Sequence, residues 1–224
     1  MRPLVLAALL ASALAAPAVA QTSPAAGAPA SPPLPHRQGL SMEMPQVQED
    51  AALQAAIAST TRPDADRARD SQRHPFETLT FWGLQPGLTV VEIEPGRAGW
   101  WRNILEPYAA ATGGRYVAVN KPTESMGVED GTADMVVVAR AFHNWSRDGR
   151  ADPYLAAFFK ALKPGGVLAV EQHRSVEGLN VADVAPTGYV PESYVIHAAR
   201  RAGFDAIGES DRMTLRFRKP ETAN

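Results

Sequence analysis

From residue 89 to residue 170 the chain alternates short apolar runs with longer amphipathic ones, and that alternation limits the folds open to it. Residues 89–94 read as a strand, 99–111 as a helix, 115–120 as a second strand and 134–139 as a third. After Asp134 the third run is Met-Val-Val-Val-Ala, apolar on both side-chain parities. A run of that kind suits a strand covered on both faces, as in a parallel sheet. Pro107 is expected to kink the first helix, because it lacks an N–H and crowds the preceding turn. A second helix carries Leu155, Phe158, Phe159 and Leu162 on one face, with Asp152 as expected N-cap and Pro153 at the first helical position. Lys163-Pro164-Gly165-Gly166 is expected to stop it, and residues 167–170 form a fourth strand. Residues 191–202 read as a further helix closed by Gly203, and 204–209 with 213–217 as a hairpin around Ser210-Asp211. Strands alternating with helices imply a doubly wound parallel α/β sheet with an antiparallel edge.

The segments before the first strand are less regular. Residues 49–59 suit a short helix, residues 64–81 are helical in part with His74-Pro75 interrupting, and Pro86-Gly87 makes a turn. Residues 21–47 are rich in Ala, Pro, Ser and Gln and read as a flexible tether. Residues 1–20 read as a signal peptide: Arg2, an apolar core over 4–16, and Ala18-Val19-Ala20 ahead of Gln21. The expectation is therefore cleavage after Ala20, export to the periplasm or beyond, and no stable membrane insertion afterwards. The domain proper spans 48–224. The chain has no cysteine, which excludes disulfides, a thiolate nucleophile and cysteine-based metal sites. Its formal charge of −2, or −3 once Arg2 is removed, gives no electrostatic reason to expect nucleic acid as partner.

In a doubly wound sheet, ligands sit beyond the carboxyl ends of the strands. Four groups of residues fall there: 92–99, Asn120, 140–145 and 171–174. The first lacks the G-x-G-x-x-G pattern of a dinucleotide loop, having only Gly96 and Gly99, so a pyrophosphate grip is not expected. His143 and His173 are the candidate bases, each also readable as a structural histidine at a strand end. With Glu171, on the same strand face as His173, they could make a two-histidine, one-carboxylate metal set or a plain hydrogen-bond network. Trp100, Trp101, Phe142 and Trp145 suit a pocket lining or core packing. His36 lies in the tether, His74 is read as structural, and His197 as a helix-face residue.

Leu84 with Pro86-Gly87, then Val90-Val91-Glu92-Ile93, then residues 130–136 (DGTADMV), then 162–168 (LKPGGVL) resemble the class I S-adenosylmethionine-dependent methyltransferases in order and strand placement. Arg69-Asp70, His74-Pro75, residues 77–79, Gly99-Trp100, His143-Asn144-Trp145, residues 188–190 and residues 207–217 look more specifically like a bacterial group of exported, predicted methyltransferases. The resemblance covers roughly residues 62–219. It implies a Rossmann-like methyltransferase sheet and S-adenosylmethionine as cofactor. It implies that Glu92 helps to order the cofactor's methionine end, and that Gly96 and Gly99 belong to the loop beneath it. Glu94 and Ala98 stand where that loop usually has glycines. Asn120 stands where a carboxylate usually grips the ribose hydroxyls, and Arg140 borders the same site. Only 12 residues separate Asn120 from Ala133. A crossover alone needs at least about 10–12, so the sheet is expected to be shortened by one helix–strand unit.

Two readings of function remain open. One is a methyltransferase-like protein that moves a methyl group from S-adenosylmethionine to an unknown small substrate. The other is a non-catalytic periplasmic binding protein on a degenerate methyltransferase fold.

Overall fold

Side-chain parity along the central strands explains why this sheet is covered on both faces. Val91, Ile93, Val136, Val138, Leu168 and Val170 pack into one apolar cluster; Val90, Met135, Val137 and Ala169 pack into another on the opposite side. Because successive strand residues point to opposite faces, unbroken Val-rich runs feed two cores at once. The computed structural model describes residues 49–210 and 213–221. The expected signal peptide, the tether and His36 lie outside them.

Five helices and one strand precede the second strand. They are α1 (Ala51–Ala58), α2 (Asp64–Arg67), α3 (Asp70–Arg73), α4 (Pro75–Trp82), β1 (Thr89–Ile93) and then α5 (Arg102–Thr112). Next come β2 (Arg115–Val119), β3 (Ala133–Ala139), α6 (Phe142–Arg147), α7 (Ala151–Ala161) and β4 (Leu162–Glu171). The remainder is β5 (His173–Arg174), α8 (Val181–Val184), β6 (Tyr189–Val190), α9 (Glu192–Arg201), β7 (Asp205–Glu209) and β8 (Thr214–Arg218).

The main sheet has the order β2-β1-β3-β4-β8-β7. β1 pairs in parallel with β2 and β3, and β3 with β4; β8 runs antiparallel to β4, and β7 and β8 form the terminal hairpin. The chain steps from β1 outward to β2, then crosses back to β3 on the other side of β1. That reversal places the topological switch point between β1 and β3. Residues 120–132 contain neither helix nor strand, so β2 is the sheet edge and the sheet is shortened as expected. This crossing segment packs against β2. Met126 is buried in the first cluster with Val119, and Arg115 Nη2 donates to the Gly127 carbonyl at 3.1 Å.

α1 begins at a true side-chain cap, where Leu53 N–H donates to Asp50 Oδ1 at 2.9 Å. Tyr108 O–H donates to the other oxygen of Asp50 at 2.6 Å and ties α1 to α5. His74 interrupts the helices as expected, with left-handed backbone (φ 47°) between α3 and α4.

Two local expectations are corrected. Asp152 is not the N-cap of α7: the helix starts at Ala151, because Arg150 N–H bonds back to the Trp145 carbonyl at 2.7 Å and leads straight into it. Asp152 instead accepts from Arg201 Nη2 at 2.8 Å. The segment 163–166 does not stop α7, which ends at Ala161. It is drawn into β4, where Gly165 N–H bonds to the Lys219 carbonyl (2.8 Å) and Lys219 N–H to the Gly166 carbonyl (2.9 Å). α5 contains Pro107, at an exposed position within the helix.

Candidate ligand site at the strand ends

Two residues other than glycine take left-handed backbone at the switch point: Glu94 (φ 49°), one residue past β1, and Arg140 (φ 58°), one residue past β3. Each first completes its strand's ladder. Glu94 N–H donates to the Val119 carbonyl and Arg140 N–H to the Glu171 carbonyl, both at 2.7 Å. The chain then turns sharply, aiming both side chains out of the sheet end. Such backbone costs a non-glycine residue about 1–3 kcal/mol and persists where the surroundings impose it, often at ligand sites.

Glu94 is half-buried and accepts from Asn144 Nδ2 at 3.3 Å. Burial raises its pKa above the usual carboxylate range, against the hydrogen bond from Asn144 and the charges of Arg150 and His143. The loop then passes through Gly96, at φ 69°, where an added Cβ would meet no heavy atom within 4 Å. Gly96, Arg97 and Ala98 are exposed, so backbone here is open to a ligand. Gly99 is buried beneath the Arg102 guanidinium.

Glu92 does not face this loop freely. It is 2% exposed, and Tyr116 O–H donates to its Oε2 at 2.7 Å. Burial pushes its pKa up to about 7, despite opposing contributions from Tyr116 and Arg102. Asn120 is exposed at the end of β2.

His143 lies in the first turn of α6, with Nδ1 3.4–3.5 Å from the Gln172 side-chain amide. Gln172 Nε2 donates to the Gly188 carbonyl at 2.7 Å, which sets the amide's orientation. His173, exposed in β5, has Nε2 in contact with Arg140 Nη2. A guanidinium only donates, so the Nε2 lone pair must accept and the ring carries its proton on Nδ1. Burial, then the charges of Arg140, His143 and Arg73, lower the pKa of His173 and favour that neutral ring.

Glu171 accepts from Trp101 Nε1 at 3.1 Å rather than facing both histidines. No group of three metal-ligating side chains suited to an ion occurs among the described residues, so the two-histidine, one-carboxylate set is not assembled. The four aromatics resolve as core. Trp100 and Trp101 pack edge to face with centroids 4.7 Å apart, and Phe142 lies 4.5 Å from Trp145, all four buried. Cavities of about 830 Å³, beside Phe159 and Lys219, and about 300 Å³, beside Lys163 and Pro164, open elsewhere, at the amino-terminal side of β4.

Tyr116 and Arg73 are the neighbours that sequence reasoning missed, while Asn144 and Gln172 fall within the strand-end groups it named. Tyr116 shares a face parity with Glu92 on adjacent strands, a signal available only once the register of β1 and β2 is known. The small parallel sheet of β5 and β6, which presents His173, was equally unreadable, since each strand has two residues.

The sheet order, with its switch point and terminal hairpin, is that of a Rossmann-like methyltransferase fold. An S-adenosylmethionine-dependent methyltransferase from Aquifex aeolicus is similar at 17% identity and a TM-score of 0.50, over 67% of this chain and 91% of that one. The (4+2)-cyclase SpnF is similar at 16% identity and a TM-score of 0.51, over 70% of this chain and 82% of the other. A possible exported protein from Bordetella parapertussis matches at 14% identity and a TM-score of 0.45, over 75% and 78% of the two chains. No family model and no curated protein matches the sequence.

Proposed function

We propose that the chain binds S-adenosylmethionine at the carboxyl ends of β1 and β3 and transfers its methyl group to a small molecule. The observation that carries this reading is the exposed backbone at Gly96, flanked by Glu94 and Arg140 in imposed left-handed conformations. The donor set fits the cofactor's methionine end: the Glu94 carboxylate suits an ammonium, and the 96–98 backbone lies open beneath it. Asn120 is the residue available to the ribose hydroxyls. The cofactor would supply an electrophilic methyl group on sulfur. His143 would take a proton from the acceptor, since the lone pair of His173 already accepts from Arg140. The Aquifex neighbour supports this reading through its fold. The cyclase on the same fold is the reminder that fold alone does not choose the reaction.

A specific observation favours the second reading, a non-catalytic binding protein. Residues 120–132 add no helix or strand beyond β2, and Asn120 is exposed, so the described residues build no wall for an adenine there. Calorimetric titration with S-adenosylmethionine and S-adenosylhomocysteine separates the two. Micromolar affinity, lost in Gly96→Val, supports the methyltransferase reading; absence of binding to a folded chain leaves the scaffold reading.

Export is part of the same proposal. It rests on Arg2, the apolar run 4–16 and Ala18-Val19-Ala20, while no helix among the described residues is long and apolar enough to cross a membrane. Amino-terminal sequencing of the processed protein tests it, with Gln21 expected first.

A further inference from the structure

Arg73 and Arg140 come within electrostatic reach of each other beside the strand ends. Arg73, at the end of α3, lies with its guanidinium 4.5 Å from the centre of the Trp100 ring. Trp100 is itself fixed, its Nε1 donating to the Asp66 carbonyl at 3.0 Å. Arg62 approaches the same ring at 5.2 Å, but Arg62 is ion-paired to Asp70 at 2.8 Å. Arg73 differs: its Nε is buried without a hydrogen-bond partner, and no ion pair to it occurs among the described residues. The groups that act on it are Glu171, Arg69, Arg140 and Asp66. Arg140 adds a second guanidinium, oriented by its left-handed backbone and by His173. Glu171, the carboxylate that acts most on Arg73, also accepts from Trp101 Nε1.

Two guanidiniums, on separate segments, act on each other, and the neutral His173 ring beside Arg140 adds a hydrogen-bonding group. Guanidinium forks match the paired oxygens of carboxylates and phosphates. Arg140 and His173 are solvent-accessible, so a ligand can reach them. We propose that Arg73, Arg140 and His173 form an oxyanion-binding site that takes the carboxylate or phosphate group of the small molecule on which this protein acts. The inference rests on the reading that the strand-end crevice is the ligand site, and it does not require S-adenosylmethionine to bind there.

The test is an NMR titration of the full chain, following the His173 ring resonances, with sodium acetate, inorganic phosphate and sodium chloride at matched ionic strength. Saturable shifts with acetate identify a carboxylate site and with phosphate a phosphate site; either supports the proposal. Affinity should fall about tenfold in Arg73→Gln and in Arg140→Gln, as expected for losing one charge-assisted hydrogen bond. Arg73→Lys, which keeps the charge and guards against loss of the fold, should retain most of the binding. A response no different from chloride, or affinity in both glutamine variants unchanged from that of the unsubstituted protein, overturns the proposal. S-adenosylmethionine titrated into the same sample reports separately. Its binding without any oxyanion response sinks this site and leaves the cofactor reading intact, and the converse result does the reverse.

Discussion

Glu92 is the residue whose chemistry departs furthest from its sequence appearance. Its folded pKa of about 7 lies above the ordinary value of 4.5, so the folded chain prefers the protonated carboxyl. The stabilising contribution is therefore complete below the unfolded pKa, falls as pH rises through the folded value, and is absent above it. The loss is about 3 kcal/mol across that window. Glu92→Gln, which keeps the bond from Tyr116, should show little of this dependence and be the more stable protein at pH 8; urea denaturation at several pH values checks this. Glu94 poses the opposite trade. Glu94→Gly removes the cost of left-handed backbone, about 1–2 kcal/mol, less the extra entropy glycine loses on folding. It should raise or hold stability while weakening ligand binding, and paired denaturation and calorimetry would show both. The sequence made Glu92, Gly96 and Asn120 visible as strand-end positions. Burial of Glu92 against Tyr116 was not visible, because it depends on which strand lies beside which.

Among the elements, long apolar runs were legible and short or irregular ones were not. β1, β3 and α9 fall within a residue or so of where the sequence puts them, the two strands because their runs are apolar throughout. The start of α7 and the path of 163–166 were misread because tertiary hydrogen bonds decided them: Arg150 to Trp145, and Gly165 to Lys219. α6 and the β5–β6 pair are too short to leave a period. The junction of α5 and β2 is a tight element contact that tolerates no side chain. A Cβ on Gly114 would lie 2.5 Å from the Leu88 carbonyl oxygen, which is backbone and unable to swing away. Gly114→Ala should destabilise the domain by about 1–3 kcal/mol, read as a lowered Tm with unchanged secondary structure by circular dichroism.

For the whole molecule, the shortened sheet and terminal hairpin were readable because spacing bounds topology: a segment of 120–132 cannot hold a crossover helix and another strand. The described residues fall within one compact unit, and its switch point collects Glu94, Gly96, Arg140, His143 and His173 from separate segments of the chain. What the sequence withheld is the electrostatic character of that place, since Arg73 arrives from a helix that precedes the sheet. The central claim is that this strand-end crevice, and not the cavities beside Lys163 or Lys219, is the ligand site. Backbone amide chemical-shift mapping with S-adenosylhomocysteine tests it most directly. The account predicts saturable shifts concentrated at residues 94–99, Asn120 and 140–144. Shifts confined to the far end of the sheet, or none at millimolar ligand, would contradict it.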